Sequence, residues 1–405
     1  MTSIQQLAVL FLVLLPSVAR ADSAEEILKR CGVTGGLVVH VGCGDGKLTA
    51  ALQAGEGYLV HGLDRDTENV AAARKHVQRL GLYGEVAIDR LRGDRLPYAD
   101  NLVNLIVSDD PGAIPMSEVT RVLCPGGVAC VKEDDAWKTT VKPWPKGFGQ
   151  WTHFLHGPDN NAVGDDSVVD VPRRLRWLGR PKFARAHEQL ASLSGCVTTA
   201  GRLFYIIDDT PRADVRFPSK WSLVARDAFN GVVLWKRPIP AWVDQFRRFR
   251  AGPPETAFRL AAREDRVYVT LGFDAPVSIL DAVTGRTLRS VEGTEHARQI
   301  LRLDDKLVVL VDTAPQTTKE KDSAIRRGVD PSPGTRAILA ADSSGEKTLW
   351  RKAIEPFVHP TLAARDNRLF YQTNERLFCL DLDTGDELWR KPMQLSLKGH
   401  EAGWE

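Results

Sequence analysis

The first third of the chain alternates apolar runs with helical segments in the order expected of a parallel sheet. An apolar strand over Leu37–Val41 leads into the glycine turn Gly42–Gly46 and a helix over Lys47–Ala54. A second apolar strand follows over Tyr58–Leu63. Strand, turn, helix and strand in this order form a βαβ unit, whose strands lie parallel. The pattern therefore predicts an α/β domain over residues 24–136.

From residue 151 onward a different pattern repeats four times. Each copy has a strand, a gap, a second strand that ends in Asp, a glycine turn and a third strand. Asp can accept hydrogen bonds from its own downstream backbone, and Gly supplies positive φ, so each turn closes a hairpin. The pattern predicts an all-β domain over residues 151–405, after a Lys/Pro-rich linker over 137–150. The turn pairs are Asp227 and Gly231, Asp281 and Gly285, Asp342 and Gly345, and Asp381 and Gly385.

Residues 1–21 have the pattern of an export signal. The apolar run Leu7–Ala19 is too short to span a bilayer, and Ala19-Arg20-Ala21 has the small-x-small form of a cleavage site. Met1–Gln6 contains no Lys or Arg, which leaves an uncleaved anchor or a buried helix as alternatives. We expect a protein exported to the periplasm or cell envelope that touches a membrane only through this segment.

Charge and cysteine usage narrow the classes of partner and site. The 405 residues carry 54 basic and 52 acidic side chains, a net charge of +2, so we expect no nucleic-acid partner. The six Cys residues are scattered without a C-x-x-C motif, which excludes the usual spacing for structural zinc and c-type haem. We expect buried free thiols; in an exported protein a disulfide is the alternative, but the sequence assigns no pairing.

The glycine turn and the acid after the second strand form a candidate cofactor site. Gly42, Gly44 and Gly46 lack Cβ atoms where the backbone must approach a ligand, and the following helix offers free N–H groups. Asp64 ends the second strand, where a carboxylate can accept both hydroxyls of a ribose. Glycines also occur in strand-to-helix turns that bind nothing, so a purely structural turn stays open.

Four successive motifs of the first domain resemble those of class I S-adenosylmethionine-dependent methyltransferases. The resemblance implies a Rossmann-like fold with S-adenosylmethionine as cofactor, the three glycines along its methionine and ribose part, and Asp64 on the ribose. Asp89 stands where the family often contacts the adenine amine; a solvated loop acid is the alternative. The motifs are Val38–Gly46, His61–Asp64, Leu96–Asn101 with Leu105–Asp109, and Glu118–Gly127.

Two features depart from that family pattern. His40 stands where the family usually has an acid that orients the methionine end of the cofactor. The predicted fifth strand, Val128–Lys132, runs directly into the linker, so the usual last two strands and a substrate-binding insertion are not expected. Asp109 and Asp110 are interpreted as loop acids rather than a general base. No catalytic residue is assigned, and export conflicts with a cofactor made in the cytoplasm.

The repeat of the second domain resembles the quinoprotein, or pyrroloquinoline quinone (PQQ)-like, β-propeller repeat. It is clearest over Leu380–Trp389. The resemblance implies a propeller but not its quinone, because the vicinal Cys-Cys pair of the quinone-dependent dehydrogenases is missing. We therefore expect no PQQ and a binding or assembly scaffold for a protein or envelope component. Large apolar rings that wedge between neighbouring sheets are predicted at Trp235, Trp350 and Trp389.

Two further expectations concern the ends of the second domain. His153 and His156 either form half of a metal site or pack this first segment through hydrogen bonds; without a third ligand we expect no metal. Arg173–Trp177 is interpreted as an isolated outer strand that closes the ring. About four blades end near Pro392, fewer than the seven or eight that this family usually builds, so we expect an incomplete propeller from a longer protein or a truncated reading frame.

The sequence thus predicts an exported protein with a methyltransferase-like domain and a scaffolding propeller. An active S-adenosylmethionine-dependent methyltransferase and a PQQ-dependent dehydrogenase are the alternatives. The methyl acceptor and the ligand of the propeller are not predicted.

Overall fold

A computed structural model defines most of both domains. The predicted export signal lies outside the described residues, as do Pro111, Arg173 and everything after Met393. Within the part of the chain that is described, no helix is both long and apolar enough to cross a membrane. The described residues are 23–110, 114–134, 136–172, 175–179, 193–210, 218–240, 242, 254–313, 335–355, 361–373 and 375–393.

The first domain is a six-stranded mixed sheet with helices packed against it. Its strand order is β3-β2-β1-β4-β5-β6; neighbours among the first five are parallel, and β6 is antiparallel to β5. This Rossmann-like arrangement confirms the predicted α/β fold. The elements are α1 (Ala24–Cys31), β1 (Gly36–Val41), α2 (Lys47–Ala51), β2 (Tyr58–Asp64), α3 (Thr67–Arg79), β3 (Val86–Arg90), β4 (Val103–Ser108), α4 (Met116–Val122), β5 (Leu123–Glu133) and β6 (Ala136–Val141).

The predicted linker over 137–150 is wrong in its first part. Residues 137–141 belong to β6, which pairs with β5 from Glu133 opposite Ala136 to Val128 opposite Val141. Strand β6 therefore supplies one of the two last strands that the sequence analysis did not expect. Strand β6 was not predicted from the sequence, because most of its side chains are exposed and it therefore has no apolar run.

Helix α1 is held against the sheet by its cap and its apolar face. Ser23 Oγ accepts from the Glu26 N–H, and the Ser23 N–H donates to the Glu26 carboxylate, which forms a capping box. Ile27 and Leu28 are buried in the core layer that includes Cys130 of β5. Burial of this face fixes a short helix that would be marginal by itself.

The second domain contains four antiparallel sheets of four strands each, and none of them closes on itself within the described residues. The first strand of each sheet was not predicted from the sequence, because these strands lie outside the Asp-Gly turn by which each repeat was recognised. The sheets are β7 (Leu193–Thr199), β8 (Arg202–Asp208), β9 (Trp221–Asp227) and β10 (Val233–Pro238); β11 (Leu260–Arg263), β12 (Arg266–Thr270), β13 (Val277–Asp281) and β14 (Thr287–Ser290); β15 (Ala297–Arg302), β16 (Lys306–Asp312), β17 (Arg336–Asp342) and β18 (Thr348–Ile354); β19 (Ala363–Arg365), β20 (Arg368–Gln372), β21 (Arg376–Asp381) and β22 (Glu387–Pro392).

Successive sheets of this domain bury apolar side chains against each other. One core cluster joins the first and second sheets, a second joins the second and third, and a third joins the third and fourth. Each middle sheet is consequently covered on both faces. This serial packing is compatible with propeller blades, and the propeller itself remains a prediction.

The Asp-Gly turns form as predicted from the sequence. In all four, the Gly N–H donates to the Asp carbonyl at 2.8–2.9 Å. The Asp carboxylate also accepts from backbone N–H groups of its own turn, for example those of Asp383 and Thr384 onto Asp381. These local bonds fix the hairpin between the third and fourth strands of each sheet.

Tryptophan rings connect one sheet to the next turn, as predicted for two of them. Trp235 Nε1 donates to the Ala282 carbonyl at 3.0 Å, and its ring covers Gly285. Trp350 Nε1 donates to the Leu382 carbonyl at 2.9 Å, and its ring covers Gly385. Trp389 instead contacts Phe370 and Lys391 of its own sheet.

Trp177 makes the same contact in front of the first sheet. Its Nε1 donates to the Ala228 carbonyl at 3.1 Å, and its ring covers Gly231. The described residues 175–179 are not a strand, which corrects the isolated outer strand expected there. Trp177 nevertheless occupies the position that Trp235 and Trp350 occupy at the later junctions.

A segment of coil, Trp151–Asn161, crosses the first strands of all four sheets, and we call it the spanning segment. The Trp151 carbonyl accepts from Thr198 of β7, and the Thr152 carbonyl accepts from Ala262 of β11. His153 Nε2 accepts from the Arg302 N–H of β15 at 2.9 Å. The Pro158 carbonyl accepts from Ala364 of β19. One short stretch of chain therefore ties the four sheets together.

The two domains meet at the amino ends of the parallel strands. Asn104 of β4 donates to the Asp227 carboxylate at 2.7 Å and accepts from Asn230 Nδ2 at 2.7 Å. Its Oδ1 also accepts from the Leu37 N–H at 2.8 Å, and its side chain fills the space where a Cβ of Gly36 would lie. The turn of the first sheet is thereby bound to the first domain.

Substituting Gly385 should test the contact between ring and turn. A Cβ there would lie 2.7 Å from the Trp350 ring at φ 74°, so Gly385→Ala should lower the free energy of unfolding by about 2–4 kcal/mol. Gly293→Ala is the matched control: its φ is 73°, but its nearest neighbour is the flexible end of Arg351. It should cost about 1 kcal/mol. Equal losses in urea unfolding would contradict the contact.

Substituting Asn104 should uncouple the domains. Asn104→Leu leaves the Asp227 carboxylate and the Leu37 N–H without this partner, and should cost about 2–4 kcal/mol. Urea unfolding followed by far-UV circular dichroism should then show two separated transitions. Asn161→Leu, at an exposed position, is the control and should leave the profile unchanged. A single unshifted transition in Asn104→Leu would show that Asn104 does not couple the domains.

Candidate functional site

The glycine turn after β1 combines open space with tight packing. Gly42, Gly44 and Gly46 all have positive φ, at 79°, 52° and 79°. A Cβ on Gly42 or Gly44 would meet nothing within 4 Å, whereas one on Gly46 would lie 2.8 Å from the Cβ of Ala73 in α3. Gly42 and Gly44 thus face open space that a ligand can enter, and we call this space the cradle. Gly46 instead lets α3 pack closely against the turn.

Asp64 is oriented beside that turn by three donors. Its Oδ2 accepts from the Gly44 N–H at 2.9 Å and from Asn69 Nδ2 at 3.3 Å, and its Oδ1 accepts from the Asp66 N–H at 2.9 Å. A carboxylate has about four acceptor positions, so it retains capacity for a ligand hydroxyl. The sequence prediction did not include Asn69, which lies in the first turn of α3.

His40 lies buried below the turn as a neutral imidazole. It is 2% exposed, and its Nδ1 is 2.8 Å from Thr49 Oγ1. Burial lowers the pKa of His40 to about 4, against the opposing negative charges of Asp109 and Asp64. His40 Nε2 has no hydrogen-bond partner among the described atoms. A neutral ring cannot supply the negative charge of the acid expected at this position.

Asp89 lies on β3 beside β2, at the same edge of the sheet, but its carboxylate is already paired. Its Oδ1 accepts from Arg74 at 2.8 Å, and its Oδ2 is 3.2 Å from His61 Nε2. The other nitrogen of His61 is 2.6 Å from the hydroxyl of Tyr98. Asp89 is therefore an exposed, paired acid on a strand and not the loop acid of the alternative interpretation, and its contact with an adenine amine stays a prediction.

The acids after β4 are exposed, and the described residues of their turn pair with each other. Ser108 Oγ donates to the Asp110 carbonyl at 2.9 Å, while Asp109 and Asp110 face solvent. Pro111 lies outside the described residues. The arrangement matches the loop acids that the sequence predicted.

His153 and His156 are not arranged as a pair of metal ligands. Their backbones bond to each other in both directions at 3.1 Å, so the residues face each other across a bridge. His153 Nε2 accepts from Arg302, and His156 Nε2 is 3.3 Å from the carboxylate of Asp165. The described residues contain no group of three metal-ligating side chains. The hydrogen-bonding interpretation accounts for both residues.

Comparison with known proteins shows what the first domain is similar to. Residues 38–127 match the family described as "Methyltransferase domain", so this part of the chain is methyltransferase-like. The curated protein methyltransferase GfsG of Streptomyces halstedii is 34% identical over 111 residues, which are 25% of this chain and 40% of that protein. The chain therefore spans less than half the length of this relative.

Two solved structures resemble the same part of the chain. A SAM-dependent methyltransferase from Aquifex aeolicus is 27% identical and aligns over 27% of this chain and 65% of its own, with a TM-score of 0.25. Geranyl diphosphate C-methyltransferase from Streptomyces coelicolor A3(2), solved with S-adenosyl-L-homocysteine, is 19% identical over 27% of this chain and 43% of its own, also with a TM-score of 0.25.

The buried imidazole of His40 predicts a pH dependence of stability. Its pKa is about 4 in the folded chain against 6.5 for an ordinary histidine, so between these values the unfolded chain binds more protons. Stability should therefore fall as pH decreases from 6.5 to 4, by up to about 1.4 kcal/mol per pH unit from this residue. In urea unfolding of the full chain, His40→Asn should show a shallower dependence of stability on pH than the unchanged chain. Identical slopes would contradict a neutral, buried His40.

Proposed function

We propose that the first domain binds S-adenosylmethionine at the carboxyl edge of its sheet. The observation that carries this proposal is the cradle at Gly42 and Gly44, where added Cβ atoms would project into open space beside the oriented carboxylate of Asp64. The glycines admit a ligand close to the backbone, and Asp64 accepts from ribose hydroxyls. Asp89 is the candidate for the adenine amine, after exchange of its contact with His61 or Arg74.

The same domain is a candidate for methyl transfer, and the resemblance to a curated methyltransferase favours this second function. The cofactor supplies a methyl group on a sulfonium, a strong electrophile, so positioning of the acceptor contributes much of the rate. The chain's own residues near the cradle are His40, which is neutral, and the exposed Asp109 and Asp110. No residue is assigned as a general base.

We propose that the second domain is a PQQ-like β-propeller that acts as a binding or assembly scaffold for a protein or envelope component. Support comes from four sheets with the same Asp-Gly turn and from the Trp contacts between successive sheets. The domain contacts the amino edge of the parallel sheet through Asn104 and Asp227, whereas Gly42, Gly44 and Asp64 lie at the carboxyl edge. Export to the cell envelope belongs to the same proposal.

Calorimetry with S-adenosylmethionine tests the first proposal. The full chain should release or absorb heat on binding, and Asp64→Ala should weaken the affinity at least tenfold, about 1.4 kcal/mol, because the ribose loses its acceptor. Asp64→Asn, which keeps an acceptor oxygen for the Gly44 N–H, separates the loss of charge from the loss of the turn.

Asp94→Ala is the matched control for this experiment. Asp94 is an exposed acid of the same domain that pairs with Arg65 and lies outside the cradle. The Asp94→Ala variant should bind S-adenosylmethionine with the same affinity as the unchanged chain. No heat with the unchanged chain at millimolar cofactor would reject the proposal, and equal loss in Asp94→Ala would assign the effect to general charge.

A further inference from the structure

Two of the six cysteines meet in the core of the first domain. Cys31 is the last residue of α1, and Cys130 lies in the middle of β5. Helix α1 packs against β5, and the side chain of Cys31 lies against the apolar core cluster that contains Cys130. The two thiols are hydrogen-bond partners. Cys130 is fully buried, whereas Cys31 is only partly buried. The fold therefore brings together two thiols about 100 residues apart along the chain.

The other four cysteines are placed differently. Cys43 lies in the glycine turn, Cys124 at the amino end of β5, Cys196 in β7 and Cys379 in β21. Cys124 Sγ accepts from Asn104 Nδ2 at 3.6 Å. Burial raises the pKa of Cys43 and of Cys124 to about 12, so these thiols stay protonated and inert.

We propose that Cys31 and Cys130 form a disulfide by exchange with an external disulfide, such as oxidised glutathione or the active-site disulfide of a thiol oxidoreductase. The inference goes beyond the proposed function and does not depend on cofactor binding. The structure shows the reduced form of the pair.

The exchange runs in two steps whose order follows from exposure. The thiolate of the partly buried Cys31 attacks one sulfur of the external disulfide, which forms a mixed disulfide and releases one external thiolate. Cys130 then loses its proton and attacks Cys31 Sγ, which closes the internal disulfide and releases the second external thiolate. Two protein thiols are oxidised, and one external disulfide is reduced to two thiols.

The surroundings of Cys31 favour it as the attacking residue. The hydrogen bond from the Cys130 thiol lowers the pKa of Cys31, and the positive charge of Arg30 acts in the same direction, against the effect of burial. The contact that orients the pair thus also increases the thiolate fraction of its more accessible member.

The disulfide would fasten α1 to the sheet. This helix has eight residues and is held by its capping box and one apolar face. A covalent bond from its last residue to β5 closes a long loop, and long loops give large stabilisation in the chain-entropy description. Its redox state would therefore decide how firmly α1 stays on the domain.

Thiol counting on the full, folded chain tests this proposal. After incubation with oxidised glutathione and removal of excess reagent, denaturation and titration should show four free thiols in place of the six of the reduced chain. Peptide mapping without reductant should find one cross-linked peptide containing Cys31 and Cys130. The oxidised chain should also melt several degrees higher than the reduced chain.

Matched variants make the result specific. Cys31→Ser should abolish both the cross-linked peptide and the redox-dependent change in Tm. Cys196→Ser, at another partly buried cysteine, should retain both. Cys130→Val keeps an apolar residue in the core and serves in place of a serine variant that fails to fold. Six free thiols after incubation with oxidised glutathione, or a disulfide between other cysteines, would overturn the proposal.

Discussion

The side chain of Asn104 is the contact on which the relation between the two domains depends. Its amide accepts from the Leu37 N–H inside the parallel sheet and donates to the Asp227 carboxylate in the first turn of the second domain. Burial raises the pKa of Asp227, so this carboxylate needs its donors to stay charged. Position 36 requires glycine, because the Asn104 side chain occupies the space that a Cβ would fill.

This contact determines which edge of the sheet is free. Parallel strands place all their amino ends at one edge and their carboxyl ends at the other, where ligands of open α/β sheets bind. Asn104 and Gly36 lie at the first edge, while Gly42, Gly44 and Asp64 lie at the second. Within the described residues, the hydrogen bonds from the Asp227 turn to the first domain therefore lie at the edge opposite the cradle.

The second domain repeats one contact, a Trp ring on the glycine of the next turn, at most but not all of its junctions. At three junctions a Trp ring covers the glycine of the next turn and donates to a carbonyl of that turn, starting with Trp177. At the junction before Gly345 the space is filled by Val291 and Ile279 instead. An apolar contact replaces the ring there, which explains why Trp does not recur at every repeat in the sequence.

The sequence by itself determined what depends on neighbours along the chain. The βαβ order, the positive-φ glycines and the Asp-Gly turns all follow from local backbone preferences, and each formed as predicted. Strand β6 and the first strands of the four sheets were not predicted. Each pairs with the strand next to it in the chain, but none of them carries the Asp-Gly turn or the apolar run on which the prediction relied. Only the tertiary structure decided that Asn104 meets Asp227 and that Cys31 meets Cys130, since such contacts depend on packing between elements far apart in the chain.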